Sequence, residues 1–510
     1  MQRKISIMKK ICLQIRIRFI KRKEINIFMQ QKSLKKNSIL NVIKTVSTII
    51  FPLITFPYIS RVLLPANVGK VNFGSSFISY FSMIASLGIT TYAIRECSAV
   101  RDNREKLSKK SSEIFSINLC TTIIAYMLLI ITLVIFRRLD VYRTLIVIQS
   151  TSILFATLGT DWLNTAMEDF KYITLRTVFF QIVSLILMFV FVRTETDYLK
   201  YAAISVFSAS GANVVNIFYR KRFCKVAFTT DMQWNRHFKP IILLFVMILA
   251  QTIFSSADVT MLGIMRSDFE VGIYSTAHKF ENIISQVVSS LAWVVMPRMS
   301  AYFAEKDYEK INDLLRKTLS LLMFIGIPCV VGACLLSKEV VIIVGGYDFI
   351  EAALPLSILM ISFAFSLIGG SFLGNMVLLP SGNEKIYMII CCITAGANVL
   401  LNFLMIPKWG ACGAAFTTAI SSFLIMIMLV IKKDKHIKLD YLKDVMLSPC
   451  IGAVAIAVYC KMVSLFISNI WGKTCVCIFG SVLIYGVVTT ILRNEICIQF
   501  LEIIKARLKK

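Results

Sequence analysis

Of 510 residues, 57% are hydrophobic and only 17% are charged, with a mean hydropathy of +0.74; soluble chains carry roughly 25% charged residues. That excludes an ordinary soluble domain. A net charge of +27 would suit a nucleic-acid binder, but the charge lies between apolar stretches rather than on one soluble face. Membrane topology accounts for it, and nucleic acid is excluded as a partner. Fourteen cysteines form no disulfide scaffold, because most of them fall in apolar runs (Cys329, Cys391 and Cys460, for example) and act there as small hydrophobes. The three histidines, His237, His278 and His436, are too scattered for a metal cluster. No metal or cofactor is expected.

Residues 1–40 form a basic N-terminal segment. Its first part, MQRKISIMKKICLQIRIRFIKRKEINIF, is broken by charge and lacks the continuous apolar core of a signal peptide. It reads as a disordered or surface-lying tail, or as sequence upstream of a start at Met29.

Fourteen apolar spans follow, at about 41–60, 72–92, 114–136, 142–163, 172–192, 200–219, 240–263, 272–296, 318–337, 354–380, 386–406, 411–431, 445–467 and 473–492. Each approaches the roughly 20 residues that cross a bilayer as a helix. Strands are excluded, because the runs are too long and too continuously apolar for a barrel. The fold class is therefore all-α: a polytopic membrane protein of about 14 transmembrane helices. Lys and Arg alternate sharply across the gaps, with 41 on the side of the two termini and 8 on the other. By the positive-inside rule both termini are cytoplasmic.

The first span carries Pro52 and Pro57, which remove helix hydrogen bonds and predict a bend or hinge. Arg61 ends that span, and Pro65, Asn67 and Gly69 predict a tight outer turn before the second. Charges inside spans are costly and usually functional. The candidates are Lys44 in span 1, Arg176 in span 5, Asp258 in span 7, and Lys279 with Glu281 in span 8, with Arg143 and Asp161 nearer the ends of span 4. The set leans cationic, which fits an anionic substrate, above all a phosphate. For each residue, snorkelling to an interface or pairing with a neighbour is the alternative.

Two corners on the termini side look alike. Span 2 leaves through Arg95 into ECSAVRDNREKLSKK, and span 8 leaves through Arg298 into a similar charged connection. Their offset of six spans predicts two related six-helix lobes in the same orientation, at 41–219 and 240–431, joined by a cytoplasmic linker at 220–239. Two additional helices (432–492) and a basic cytoplasmic tail (493–510) complete the chain. The longest internal loops are about 20 residues, which leaves little room for a catalytic domain, and no enzyme activity is expected. Gly472-Lys473-Thr474 imitates the end of a P-loop, but Ile467 stands where its first glycine belongs.

From about Ser38 to Arg493 the chain resembles the Wzx-type oligosaccharide flippases, which share the MOP superfamily with MATE exporters and lipid II flippases. The resemblance is carried, in order, by FPLITFPYISRVLLPANVGKVNF, ISYFSMIASLGITTYAIRECSAVRD, DWLNTAMEDFKYITLR, DVTMLG with VGIYSTAHKF, MPRMS, LLPSGNEK and NFLMIPKWGACGAAFTT. It implies a MATE-like, two-lobed protein of the bacterial cytoplasmic (inner) membrane. That protein would flip an undecaprenyl-diphosphate-linked oligosaccharide by alternating access, for O-antigen or capsule synthesis. The bilayer and other membrane proteins of polysaccharide synthesis would be its partners. Arg61, Arg95, Asp161, Glu168, Arg176, Asp258 and Lys279 fall on polar positions of the family pattern. Residues 164–168 depart from its more usual glycine-containing form. The expected substrate contacts are Lys44, Arg61, Arg95, Arg176 and Lys279. Asp161 and Asp258 are the ion-coupling candidates, for a proton or sodium, and a structural ion pair is an equal reading of Asp258. The rival readings are a cation-coupled drug exporter, which calls for an acidic cavity, and a polysaccharide polymerase or ligase, which calls for a large outer loop. A scaffold without transport leaves the buried charges unexplained.

Overall fold

The computed structural model describes the backbone of residues 2–508. Side chains are described from Leu40 onward, apart from 41–43, 49, 243, 247, 291–294, 501 and 503–508. The described residues contain helices and turns and no strand. The helices are α1 (Gln2–Ser86), α2 (Ile89–Ser98), α3 (Arg104–Ile135), α4 (Arg143–Gly159), α5 (Asp161–Ala166), α6 (Phe170–Phe191) and α7 (Tyr198–Tyr219). After a linker come α8 (Trp234–Met265), α9 (Asp268–Glu305), α10 (Tyr308–Leu335), α11 (Ser337–Gly345), α12 (Ala353–Ser366) and α13 (Glu384–Lys432). The chain closes with α14 (Leu442–Phe466), α15 (Ile470–Ile491) and α16 (Glu495–Leu508). The backbone of the basic N-terminal segment is part of α1, so of the readings above the disordered tail does not hold.

Among the described residues eleven helices are long and apolar enough to cross a membrane, or twelve when α9, bent by 50° between Ser290 and Val295, is counted as one span. Two of them are too long for a single crossing. Lys44 and Ser86 line one cavity, yet 42 residues of straight helix would part them by about 63 Å. The chain therefore reverses between them, at Leu64 (φ 62, ψ 167). Leu64 precedes Pro65, whose ring bars the helical conformation to its neighbour. In α13 the break is Gly410 (φ 53, ψ −129), a geometry open to glycine. Across it Thr417 donates to Asn402 at 2.5 Å, which a straight helix would forbid. With these two doubled, the fourteen predicted passages are all present. The backbone stays helical through Pro52 and Pro57, and the full reversal of the chain lies beyond them at Leu64. In α9 the bend lies just before Pro297, which clashes with the carbonyl four residues earlier.

The two lobes meet most closely on the face opposite the termini. Gly69 and Gly272 allow backbone against backbone there: a Cβ on Gly69 would lie 1.7 Å from the Asp268 carbonyl, and one on Gly272 2.0 Å from that of Pro65. Tyr142 donates to Asp268 at 2.6 Å, and Ser76 shares a 2.8 Å bond with Thr260. Arg61 donates to the Ile343 carbonyl at 2.5 Å, and Ser60 to that of Val344 at 3.1 Å.

On the termini side the linker lies extended along α3. The backbone N–H groups of Lys225, Ala227 and Thr229 donate to Ser108, Ser112 and Ser116 at 3.2, 3.2 and 2.8 Å. The match is geometric: two strand residues rise about 6.6 Å and four helix residues about 6.0 Å. The linker delivers His237, fully buried, between Tyr92 (2.6 Å to Nδ1) and Glu113 (3.2 Å to Nε2).

Candidate functional site

A cavity of about 690 Å³ lies inside the first lobe, with a wall drawn from spans 1–6 and a single residue, Lys279, from the second lobe. A second cavity of about 440 Å³, with Ser255, Ser256, Ser275, His278, Asn282 and Gln286 in its wall, shares Thr48, Pro52 and Lys279 with the first. Lys279 thus stands where the two meet. Its ammonium lies 4.4 Å from the centre of the Phe56 ring, and no described carboxylate forms an ion pair with it. Lys44 lines the larger cavity from span 1, half-buried and without an ion-pair partner among the described residues.

Arg176 lines the same cavity but is not free: it pairs with Asp161. The chain breaks helix at Thr160 (φ 44) between α4 and α5 and again at Glu168 (φ 55), so Asp161 sits at a corner facing α6. Glu168 occupies a left-handed conformation natural to glycine, in the segment that departs from the glycine-containing family form, and Arg101 bonds its carboxylate at 2.7 Å. Arg176, 8% exposed, lies 5.2 Å over the Tyr172 ring, which stacks on Tyr219 at 3.6 Å. Its Nε and Nη1, like Nε1 of Trp162, have no protein partner. Asn164 and Asn216 also reach the Asp161 carboxylate, at 3.3 and 3.5 Å.

Arg61 and Arg95 are not part of either cavity wall. Arg61 joins the lobes on the opposite face. Arg95 is largely exposed beside Glu96 at the end of α2. Arg143 is exposed, and Glu281, half-buried in α9, forms no hydrogen bond or ion pair among the described residues.

Asp258 lies elsewhere, in the core of the second lobe and 3% exposed. Its carboxylate accepts from Tyr274 at 2.5 Å, Thr418 at 2.6 Å and Asn402 at 2.6 Å. Asn402 also donates to Asn398 at 3.1 Å, and Nδ2 of Asn398 has no partner. All these partners are neutral. The oxygens of Asp258, Asn398, Asn402, Thr417 and Thr418 are hard ligands, suited to a small hard cation and not to a soft transition metal. Among the described residues no three of His, Cys, Asp and Glu gather as a metal site. Sequence reasoning found Asp258 but missed Asn402 and Thr418; amides at i, i+4 within an apolar run (Asn398, Asn402) were the available signal.

Fold and site together define a multi-pass membrane protein with two helical lobes around polar cavities. The chain belongs to the polysaccharide biosynthesis protein family, whose model matches residues 34–303. A MatE family model matches residues 244–404. A putative O-antigen transporter of Escherichia coli (strain K12) is 23% identical over 421 residues, covering 79% of this chain and 98% of that protein. A probable low-salt glycan biosynthesis flippase, Agl15, of Haloferax volcanii is 27% identical over 33% of this chain and 35% of that protein. Among solved structures, the lipid II flippase MurJ in an inward closed conformation superposes with a TM-score of 0.73 at 16% identity, covering 90% of this chain and 99% of that one. An inward-facing multidrug resistance MATE family transporter of the MOP superfamily gives 0.56 at 14% identity, covering 79% and 94%. These likenesses bear out the all-helical, MATE-like fold.

Proposed function

We propose that the protein flips an undecaprenyl-diphosphate-linked oligosaccharide across the bacterial cytoplasmic membrane, for surface polysaccharide synthesis. The observation that carries this is the cation balance of the cavity: Lys44, Arg176 and Lys279 against Asp161 alone. A diphosphate and its sugars cannot cross hydrocarbon unaided, because unpaired charge is expensive to bury. A polar cavity replaces their water, and Lys279 and Lys44 offer uncompensated charge to the diphosphate. The polyprenyl tail stays in the bilayer between helices.

In this reading the termini, the basic gaps and the linker face the cytoplasm. The lobes are 41–219 and 240–431, 220–239 joins them, and 432–492 is an appendix of two helices. The outer face is closed by Gly69 against Gly272 and by the Arg61 and Tyr142 contacts. Rocking the lobes opens that face and closes the other. Arg61 then acts as an outer latch and Arg95 as a surface charge, and the substrate contacts reduce to Lys44, Lys279 and the Arg176 pair. Asp258 is the ion-coupling candidate, since it is a carboxylate held by neutral donors alone. A cation exporter would need a free acid in the cavity, and Arg176 neutralises the one present. The outer gap at 338–353 gives a polymerase no room for acceptor and donor.

The test uses the purified protein in liposomes with a fluorescent undecaprenyl-diphosphate oligosaccharide, and asks whether inner-leaflet label becomes accessible to an external quencher. Flipping by the parent and its loss in Lys279→Ala support the reading. Export of a cationic dye without lipid flipping overturns it.

A further inference from the structure

An oligosaccharide flippase, as proposed above, must hold two unlike groups at once: a charged diphosphate and a neutral sugar chain. Hydrogen-bond satisfaction shows where each can go. A helical serine or threonine commonly turns its hydroxyl back onto the carbonyl three or four residues earlier. Ser79, Ser116, Thr121, Thr122 and Thr177 all do so. Ser82, Thr90, Thr165 and Ser208 line the larger cavity and make no such bond, and the Gln181 amide there has no partner either among the described residues.

All five belong to the first lobe; Thr165, Gln181 and Ser208 stand on the stretch from α5 to α7, and Ser82 and Thr90 on span 2. Thr177 and Gln181 stand at i, i+4 on one face of α6, and Ser205, Ser208, Ala212 and Asn213 form one stripe of α7. The other two amides of the wall are engaged: Asn118 donates to the Ala85 carbonyl, and Asn213 accepts from Asn216. Gln181 alone keeps two donors and one acceptor free in one plane, the set that matches adjacent sugar hydroxyls or an acyl carbonyl.

The charge of this wall points the same way. Arg176 is already paired with Asp161, whose side chain is 43% exposed, so a second anion would gain little there and would meet the Asp161 carboxylate. A neutral, hydroxyl-rich body meets no such penalty. Lys279 has no acid partner and remains the place for the diphosphate.

We infer that the wall formed by spans 4–6 is a sugar-reading subsite separate from the diphosphate contact, and that Gln181 is its specificity-determining residue.

The test measures binding of two probes to the full-length protein in nanodiscs: bare undecaprenyl diphosphate, and the same lipid carrying one N-acetylglucosamine. The parent should bind the sugar-bearing lipid more tightly. Gln181→Leu should lower that affinity by about threefold to tenfold, the worth of a hydrogen bond or two, and leave the bare lipid unchanged. The unchanged bare-lipid affinity also shows the variant to be folded. Lys279→Ala should weaken both lipids together. A parent that binds the two lipids equally, or a Gln181→Leu variant that weakens both equally, overturns the sugar subsite while the flippase reading stands. A parent that binds neither lipid overturns the flippase reading itself.

Discussion

Asp161 and Asp258 are both carboxylates inside the helical bundle, and their surroundings are opposite. Asp161 faces a cavity and is matched by a guanidinium, so its charge is cancelled where it stands. Asp258 is sealed in the core and held by a phenol, a hydroxyl and an amide, none of them charged. Hydrogen bonds from neutral groups stabilise a carboxylate but leave its charge uncancelled in a low dielectric. The first arrangement is complete without a visitor. The second has hydrogen bonds but no ion pair among the described residues. Position in a span does not separate the two roles; the chemistry of the partners does.

The comparison can be broken most severely at Asp258. Asp258→Asn should abolish stimulation of flipping by an ion gradient, tested separately with sodium and proton gradients in liposomes; stimulation that survives in the variant removes Asp258 from coupling. Next in size is Asp161→Asn, which leaves Arg176 buried and unmatched. It should destabilise the protein by about 1–3 kcal/mol, at the low end for a broken buried pair because Asp161 is partly exposed. Asp161→Asn combined with Arg176→Met should recover part of the loss in thermal unfolding, and no recovery would mean that the pair is not a closed unit. Lys279→Ala should lower affinity for the diphosphate lipid by about tenfold, with Lys44→Ala costing less. The smallest effect is expected at Tyr92→Phe, about 1 kcal/mol from the lost bond to His237, read as a lower melting temperature.

Much of the fold was legible because hydropathy and Lys/Arg placement act over whole spans. The fourteen passages and the turn around Pro65 followed from such signals. Pro52 and Pro57 keep helical backbone angles, as a helix tolerates proline where neighbours support the backbone, and the chain's reversal lies at Leu64, before Pro65. The site was legible in its charges but not in their pairing. Asp161 and Arg176 are 15 residues apart across the left-handed corner at Glu168, and no helical periodicity brings them together. Asn402 and Thr418 lie 144 and 160 residues from Asp258. Arg61 and Arg95 were read from span-end position and from the family resemblance, and a charge near a span end can point to a carbonyl or to water as well as to a cavity.

The serine ladder under the linker makes length a coded quantity. Because alternate N–H groups of 225–229 meet every fourth residue of α3, deleting one linker residue would turn every second donor away from its hydroxyl. Deleting two would restore the phase but draw His237 out of its place between Tyr92 and Glu113. A connection of this kind behaves as a ruler, not a tether. Insertions and deletions that an ordinary surface loop absorbs should register here as misalignment of span 7 against spans 2 and 3.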